Sequence, residues 1–128
     1  MKKILCSLIL GLATGAMASQ FPPAFELNTV NATLLSASTN AVGSPLFAEQ
    51  CKYHTFVIVN AAAGTNIVTI SGSLDSTNMI PLYAVTNTGI ATTSFSYVGK
   101  WSYLQASAAI ASTNTTSLNV TVEYLGGN

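Results

Sequence analysis

Few residues of this chain are of a type that could do chemistry. Beyond position 18 the sequence holds one histidine, His54, one cysteine, Cys51, and four carboxylates. Cys51 and His54 form the single pair that could act as a thiol nucleophile and its base. If this segment is a β-strand, their spacing predicts opposite faces, because successive side chains of a strand alternate. The pattern therefore favours a structural cysteine and a half-exposed histidine over a catalytic dyad.

The carboxylates fall in separate segments: Glu26, Glu49, Asp75 and Glu123. None has a local partner at the spacing that glycoside hydrolysis needs. Asp75 with Asn78 is typical of a turn rather than of a calcium loop. The sequence shows neither a His/Cys cluster with zinc spacing nor a Gly-x-Ser-x-Gly elbow for a nucleophilic serine. We therefore predict that the chain is not an enzyme and that it uses no metal and no cofactor.

Three aromatic residues form a candidate binding feature. Tyr97, Trp101 and Tyr103 lie close together in the sequence, and Trp101 and Tyr103 are expected to share one face of a strand. Flat rings in this arrangement suit a sugar or a protein surface. The alternative is that Trp101 and Tyr103 fill the core between two sheets, and the sequence leaves both interpretations open.

Residues 1–18 show the three ordered parts of a secretory signal. Lys2 and Lys3 are followed by an apolar run and then by Ala16-Met17-Ala18. The run is shorter than the roughly 20 residues that a membrane span needs. We predict a cleavable signal helix, export to the periplasm, the cell surface or the medium, and no membrane span after cleavage.

Cleavage at this site would leave Cys51 as the last remaining cysteine, so no disulfide could form within the chain. The residue would then be a buried apolar side chain, half of an intermolecular disulfide or a reactive thiol.

The charge of the mature chain is low, with two lysines and four carboxylates and a net charge of −2. The chain contains no arginine. This composition excludes nucleic acid as a partner, because phosphate recognition needs clustered basic residues. Low charge also weakens self-repulsion, which favours self-assembly or packing against another protein.

Apolar residues recur at every second position from residue 32 onward, which is typical of β-strands. The predicted strands are residues 32–37, 51–60, 67–74, 79–85, 93–98, 101–110 and 117–125. Four consecutive apolar residues at 56–59 predict a central strand covered on both faces. Pro81 places its strand at a sheet edge or a bulge. We predict an all-β, antiparallel β-sandwich or jelly roll of about 7–8 strands over residues 32–128, after an extended arm at residues 19–31.

Two segments resemble known β-sandwich domains. Residues 68–82, VTISGSLDSTNMIPL, and residues 101–106, WSYLQA, are similar to a Gly-Ser-x-Asp-Gly-x-Asn-Trp-x-x-Leu hairpin and a following Tyr-x-Arg-Ala-like strand. Such segments occur in small discoidin-like or jelly-roll domains of bacteriophage virion accessory proteins, and the likeness spans residues 67–125. This chain has Ser76 in place of the glycine, Met79 in place of the aromatic residue and Gln105 in place of the basic one. The resemblance implies the sandwich scaffold and a virion setting, and it carries over no binding residue.

Together these features predict an exported structural or accessory protein that acts by packing or assembly. It would be a virion decoration, a fibre or a cell-surface component with protein partners or further copies of itself. A glycan- or surface-binding β-sandwich module that uses Tyr97, Trp101 and Tyr103 is the alternative.

Overall fold

Nine β-strands make up the regular structure of the residues described. A computed structural model describes residues 29–111 and 117–128, so the predicted signal helix at 1–18 and most of the predicted arm lie outside the described residues. The strands are β1 (Val30–Ala37), β2 (Ala41–Val42), β3 (Leu46–Phe47), β4 (Tyr53–Asn60), β5 (Thr65–Ser73), β6 (Ile80–Thr88), β7 (Ala91–Val98), β8 (Tyr103–Ile110) and β9 (Val120–Gly127).

The strands form two antiparallel sheets with the order of a jelly roll. Sheet A has the order β1-β9-β4-β7, and sheet B has the order β2-β8-β5-β6, with β3 also paired to β8. If β2 and β3 are counted as one interrupted strand, every connection crosses between the sheets except the β5–β6 hairpin. The predicted all-β sandwich or jelly roll is confirmed.

The core lies between the two sheets and follows from the alternation of apolar residues. In β9 the side chains of Val120, Val122 and Tyr124 are buried, and the residues between them point outward, as the sequence pattern predicts. Phe56 of β4 is fully buried, and its ring centroid lies 5.3 Å from that of Tyr124. Burying a side chain of this size stabilises the fold by about 2–3 kcal/mol.

The two sheets are also joined by rings along one edge of the sandwich. Tyr83 of β6 stacks on Phe95 of β7 with a centroid distance of 4.2 Å and an interplanar angle of 6°. Phe95 in turn stacks on Phe56 at 6.0 Å. This row of rings links the edge strand of sheet B to the centre of sheet A.

Some strand predictions are corrected by the structure. The predicted strand at 51–60 begins at Tyr53, and β2 and β3 lie between residues 37 and 51, where no strand was predicted. β4 is central in sheet A, yet Val57 on its outer face is 36% exposed, so this strand is not covered on both faces by the residues described. Leu74, the last residue of the predicted strand at 67–74, lies beyond the end of β5 and is exposed.

The prediction for Pro81 is confirmed. β6 is an edge strand of sheet B, and its pairing with β5 shifts in register between Ile70 and Ser71. A proline is tolerated at such a place because it has no N–H to donate to a neighbouring strand.

Candidate functional site

The three aromatic residues of the candidate binding feature lie in three different environments. Tyr97 points inward from β7, with its ring centroid 6.4 Å from that of His54. Trp101 precedes β8 and packs against the core. Alternation along β8 turns Tyr103 outward, where its ring meets Phe47 edge-on at 5.5 Å. Trp101 and Tyr103 therefore do not share a face, and no ring contact among the described residues joins any two of the three.

Trp101 forms one wall of a shallow cavity at the end of the sandwich. The cavity has a volume of about 290 Å³, and its lining residues are Ser73, Leu74, Asp75, Asn78, Ile80 and Trp101. Leu74 and Ile80 are exposed at its rim. The buried Nε1 of Trp101 has no hydrogen-bond partner among the described residues. An aromatic wall, an apolar rim and a few polar side chains are typical of a small-ligand site.

The polar side of this cavity is the turn after β5. Oδ1 of Asp75 accepts hydrogen bonds from the backbone N–H groups of Asn78 (2.8 Å) and Thr77 (3.0 Å) and from the hydroxyl of Ser73 (2.8 Å). The side-chain amide of Asn78 donates to Oδ2 at 2.6 Å. These hydrogen bonds, the one from the Asn78 backbone first, hold the pKa of the Asp75 carboxyl well below its usual range. The predicted turn at Asp75 and Asn78 is confirmed.

Ser76 is strained within the same turn. Its φ is +66°, and it is the one non-glycine residue with a positive φ among the residues described. We expect Ser76→Gly to raise the free energy of unfolding by about 0.5–1 kcal/mol, because glycine adopts this conformation without steric cost. Urea denaturation measures the change. Ser76→Ala keeps the strain and serves as control, and equal stability of the two variants would contradict the prediction.

A second, buried cluster lies where β4 begins and β9 ends. Nδ1 of His54 lies 2.8 Å from the hydroxyl oxygen of Tyr124, and Nε2 lies 2.9 Å from the carbonyl oxygen of Gly99. A carbonyl can only accept, so Nε2 carries the proton and Nδ1 accepts from the Tyr124 hydroxyl. The thiol of Cys51 lies beside the same hydroxyl. Hydrogen bonds thus run from Tyr124 through His54 to Gly99, and Cys51 packs against the Tyr124 end.

This cluster corrects two predictions. His54 is 1% exposed rather than half-exposed. Cys51 and His54 are not separated by opposite faces of a strand, because β4 begins only at Tyr53, and both side chains reach the Tyr124 hydroxyl. Cys51 is itself 1% exposed, so a disulfide to a second chain would need the segment before β4 to open.

Tyr124 was not among the candidate site residues, although the alternation of β9 marked it as buried. Burial, and next its contact with Cys51, raise the pKa of the Tyr124 phenol above its ordinary value of 10.0. The hydroxyl therefore keeps its proton and donates a hydrogen bond to Nδ1 of His54. These contacts hold β9 against the segments before β4 and after β7, so the cluster stabilises the fold.

Residues 29–111 and 117–128 hold no group of three or more His, Cys, Asp or Glu side chains that could bind a metal ion. Within the same residues, no helix is long and apolar enough to cross a membrane.

The outer face of sheet A is nearly free of charge. Glu123 is the one charged residue at the outward positions of its strands, and it accepts hydrogen bonds from the Thr33 hydroxyl at 2.9 and 3.0 Å. The hydroxyls of Thr55 and Ser96 lie 3.1 Å apart on neighbouring strands. The other outward positions are Asn31, Ser36, Tyr53, Val57, Val59, Thr92, Ser94, Val98, Thr121 and Leu125. Hydroxyl, amide and apolar groups therefore make up this surface.

The outer face of sheet B carries a shallow groove of about 420 Å³. Its lining residues are Asn40, Ala41, Val42, Ile67, Thr69, Ser107, Ala108 and Ala109. The groove exists because the side chains of β8 at this place are small. The exposed Val42 and Ile67 border it. None of its lining residues is charged.

The chain matches no protein-family model and no curated protein sequence. Among solved structures, it is similar to the SPBc2 prophage-derived protein YomS, with a TM-score of 0.60 and 11% identity over 84% of this chain and 100% of that one. It is also similar to the PBSX exported protein XepA, with a TM-score of 0.55 and 14% identity over 77% of this chain. The match spans 37% of XepA. The expected resemblance to β-sandwich domains of bacteriophage proteins is thus confirmed at the level of the fold.

Proposed function

We propose that this chain is an exported, non-enzymatic structural or accessory protein that acts by packing and assembly. The setting would be a virion decoration, a fibre or a cell surface. The observation that carries the proposal is the outer face of sheet A, which presents hydroxyl, amide and apolar groups and one carboxylate, Glu123. A surface depleted of charge and bearing exposed apolar side chains such as Val98 suits contact with another protein.

The similar folds support the same setting. YomS is described as prophage-derived and XepA as an exported protein of PBSX. The buried Cys51, His54 and Tyr124 support the non-enzymatic part, because His54 bonds to Tyr124 and to the backbone of Gly99, and Cys51 is enclosed beside them. Groups held in this way stabilise the fold.

Mass spectrometry of two samples from the source organism tests this proposal: extracellular particles or surface fractions, and the cytoplasm. Peptides of the chain are expected in purified extracellular particles or surface fractions, and the mature N-terminus is expected at Ser19. Recovery of the chain only from the cytoplasm with residues 1–18 retained would refute both the export and the setting.

The cavity beside Trp101 favours a second candidate function, the binding of a glycan. Trp101 is the only tryptophan of the chain, so its fluorescence should respond to a sugar placed on its cavity. We expect Ile80→Ala, which truncates the cavity rim, to weaken such binding, and Ile90→Ala, an exposed isoleucine outside the cavity, to leave it unchanged. An unchanged Trp101 emission spectrum across a broad glycan panel would refute glycan binding at this cavity.

A further inference from the structure

The sandwich has four sheet edges, and three of them have features that hinder pairing with another chain. β1 carries a register shift between Thr33 and Leu35. β6 contains Pro81 and a register shift in its pairing with β5. The remaining edge of sheet B is divided into β2 and β3, each two residues long.

The fourth edge, β7, lacks every one of these features. Its eight residues, ATTSFSYV, include no charge and no proline. They pair with β4 in unbroken register from Tyr53↔Val98 to Asn60↔Ala91. No described strand pairs with its other side. A long, flat and uncharged edge of this kind is a template for a further strand.

The backbone groups that β7 offers can be identified from its ladder. The N–H of Gly99 donates to the carbonyl of Lys52 at 3.0 Å, which makes Lys52 and Gly99 a hydrogen-bonded pair. Hydrogen-bonded and non-hydrogen-bonded pairs alternate in an antiparallel ladder. The N–H and C=O groups that point away from β4 therefore belong to every second residue of the strand, namely Thr92, Ser94, Ser96 and Val98.

We propose that β7 pairs antiparallel with β7 of a second copy, which joins two copies of sheet A into one continuous sheet. This inference rests on the proposed assembly function and identifies the β7 edge as the surface through which two copies would assemble. A two-fold axis at Phe95 places Ser94 opposite Ser96 of the second copy and Thr92 opposite Val98. All the free backbone groups then meet partners, and the outward side chains stay on one face.

A second copy is the partner that the edge itself favours. An isologous contact requires a surface that is complementary to itself, and an uncharged strand places no like charges opposite one another. The hydroxyl pair of Thr55 and Ser96 already crosses from β4 to β7 on the outer face. Ser94 and Ser96 of the two copies extend that row of hydroxyls across the axis.

Sedimentation equilibrium of three purified proteins tests the contact. In Ser94→Lys/Ser96→Lys, lysines of the two copies face each other at the axis. Asn31→Lys/Ser36→Lys adds the same charge at exposed positions of β1, the opposite edge of sheet A. We expect a concentration-dependent dimer of the wild type, a dissociation constant raised at least about tenfold for the β7 variant, and an unchanged dimer for the β1 variant. Circular dichroism checks that each variant is folded.

A mixing experiment separates the β7 contact from a general effect of charge. Ser94→Lys/Ser96→Lys mixed with Ser94→Glu/Ser96→Glu should form a heterodimer, because opposite charges then face each other. A monomeric wild type at about 1 mM, or equal weakening by the β1 variant, overturns the inference. A β7 variant that dimerises as tightly as the wild type overturns it too. The proposed assembly would then use another surface. A β7-dependent dimer that is absent from particles and surface fractions would uphold the contact and refute the proposed function.

Discussion

Gly126→Ala is expected to lower the free energy of unfolding by about 3 kcal/mol, combining overpacking with a broken buried hydrogen bond. A Cβ at Gly126 would collide with the hydroxyl of Tyr124 and would lie 2.6 Å from Sγ of Cys51. Both neighbours are buried, so neither can turn toward solvent. Relief of the collision would move the Tyr124 hydroxyl away from His54 and leave Nδ1 without its donor.

The next residue provides a matched control for this prediction. A Cβ at Gly127 would meet no atom within 4 Å. Gly127→Ala is therefore expected to change stability by less than about 0.5 kcal/mol. Urea denaturation of both variants measures the difference, and similar unfolding midpoints would show that the buried cluster does not confine position 126.

Tyr124→Phe is expected to cost about 2 kcal/mol, because it removes one hydroxyl and leaves the buried Nδ1 of His54 without its hydrogen-bond donor. The thiol of Cys51 also loses its contact with that hydroxyl. Tyr83→Phe is the control. Tyr83 also stacks on a ring, that of Phe95, and no hydrogen bond of its hydroxyl occurs among the described residues. A cost for Tyr124→Phe no larger than that for Tyr83→Phe would contradict a role for the buried hydroxyl.

The raised pKa of Tyr124 adds a signature in alkaline solution. The folded phenol holds its proton to a higher pH than the unfolded one, whose pKa is near 10. The resulting stabilisation is complete below pH 10 and is lost as the pH rises toward the folded value, with a slope of up to about 1.4 kcal/mol per pH unit. Between pH 10 and 11.5 the wild type should lose stability more steeply than Tyr124→Phe, as measured by urea denaturation at each pH. Parallel curves would show that Tyr124 ionises alike in both states.

The fold was largely predictable because it depends on local patterns. The alternation in β9 correctly marks Val120, Val122 and Tyr124 as buried, and the missing N–H of Pro81 correctly places β6 at an edge. β2 and β3 were missed because two residues are too few to show a period. The exposed Val57 was misjudged because a β-branched residue suits a strand on either face.

The sites were less predictable because they join segments that are distant along the chain. Nothing near His54 marks Tyr124 as its partner, since the contact exists only once β9 pairs with β4. Likewise, Trp101 meets the turn around Asp75 only through the pairing of β8 with β5. Closeness in sequence grouped Tyr97, Trp101 and Tyr103, whereas the crossing from sheet A to sheet B separates Tyr97 from the other two. Trp101 packs against the core and Tyr103 points outward, so these two are separated as well.

By itself, the sequence determined the all-β class, the faces of β9 and the turn at Asp75, because the alternation of side chains and the hydrogen bonds of a turn act over a few residues. Only the tertiary structure decided that β7 lies at a sheet edge and which buried polar groups meet. Among the described strands, one side of β7 is unpaired because the order β1-β9-β4-β7 places it last, and that order follows from pairing between distant segments.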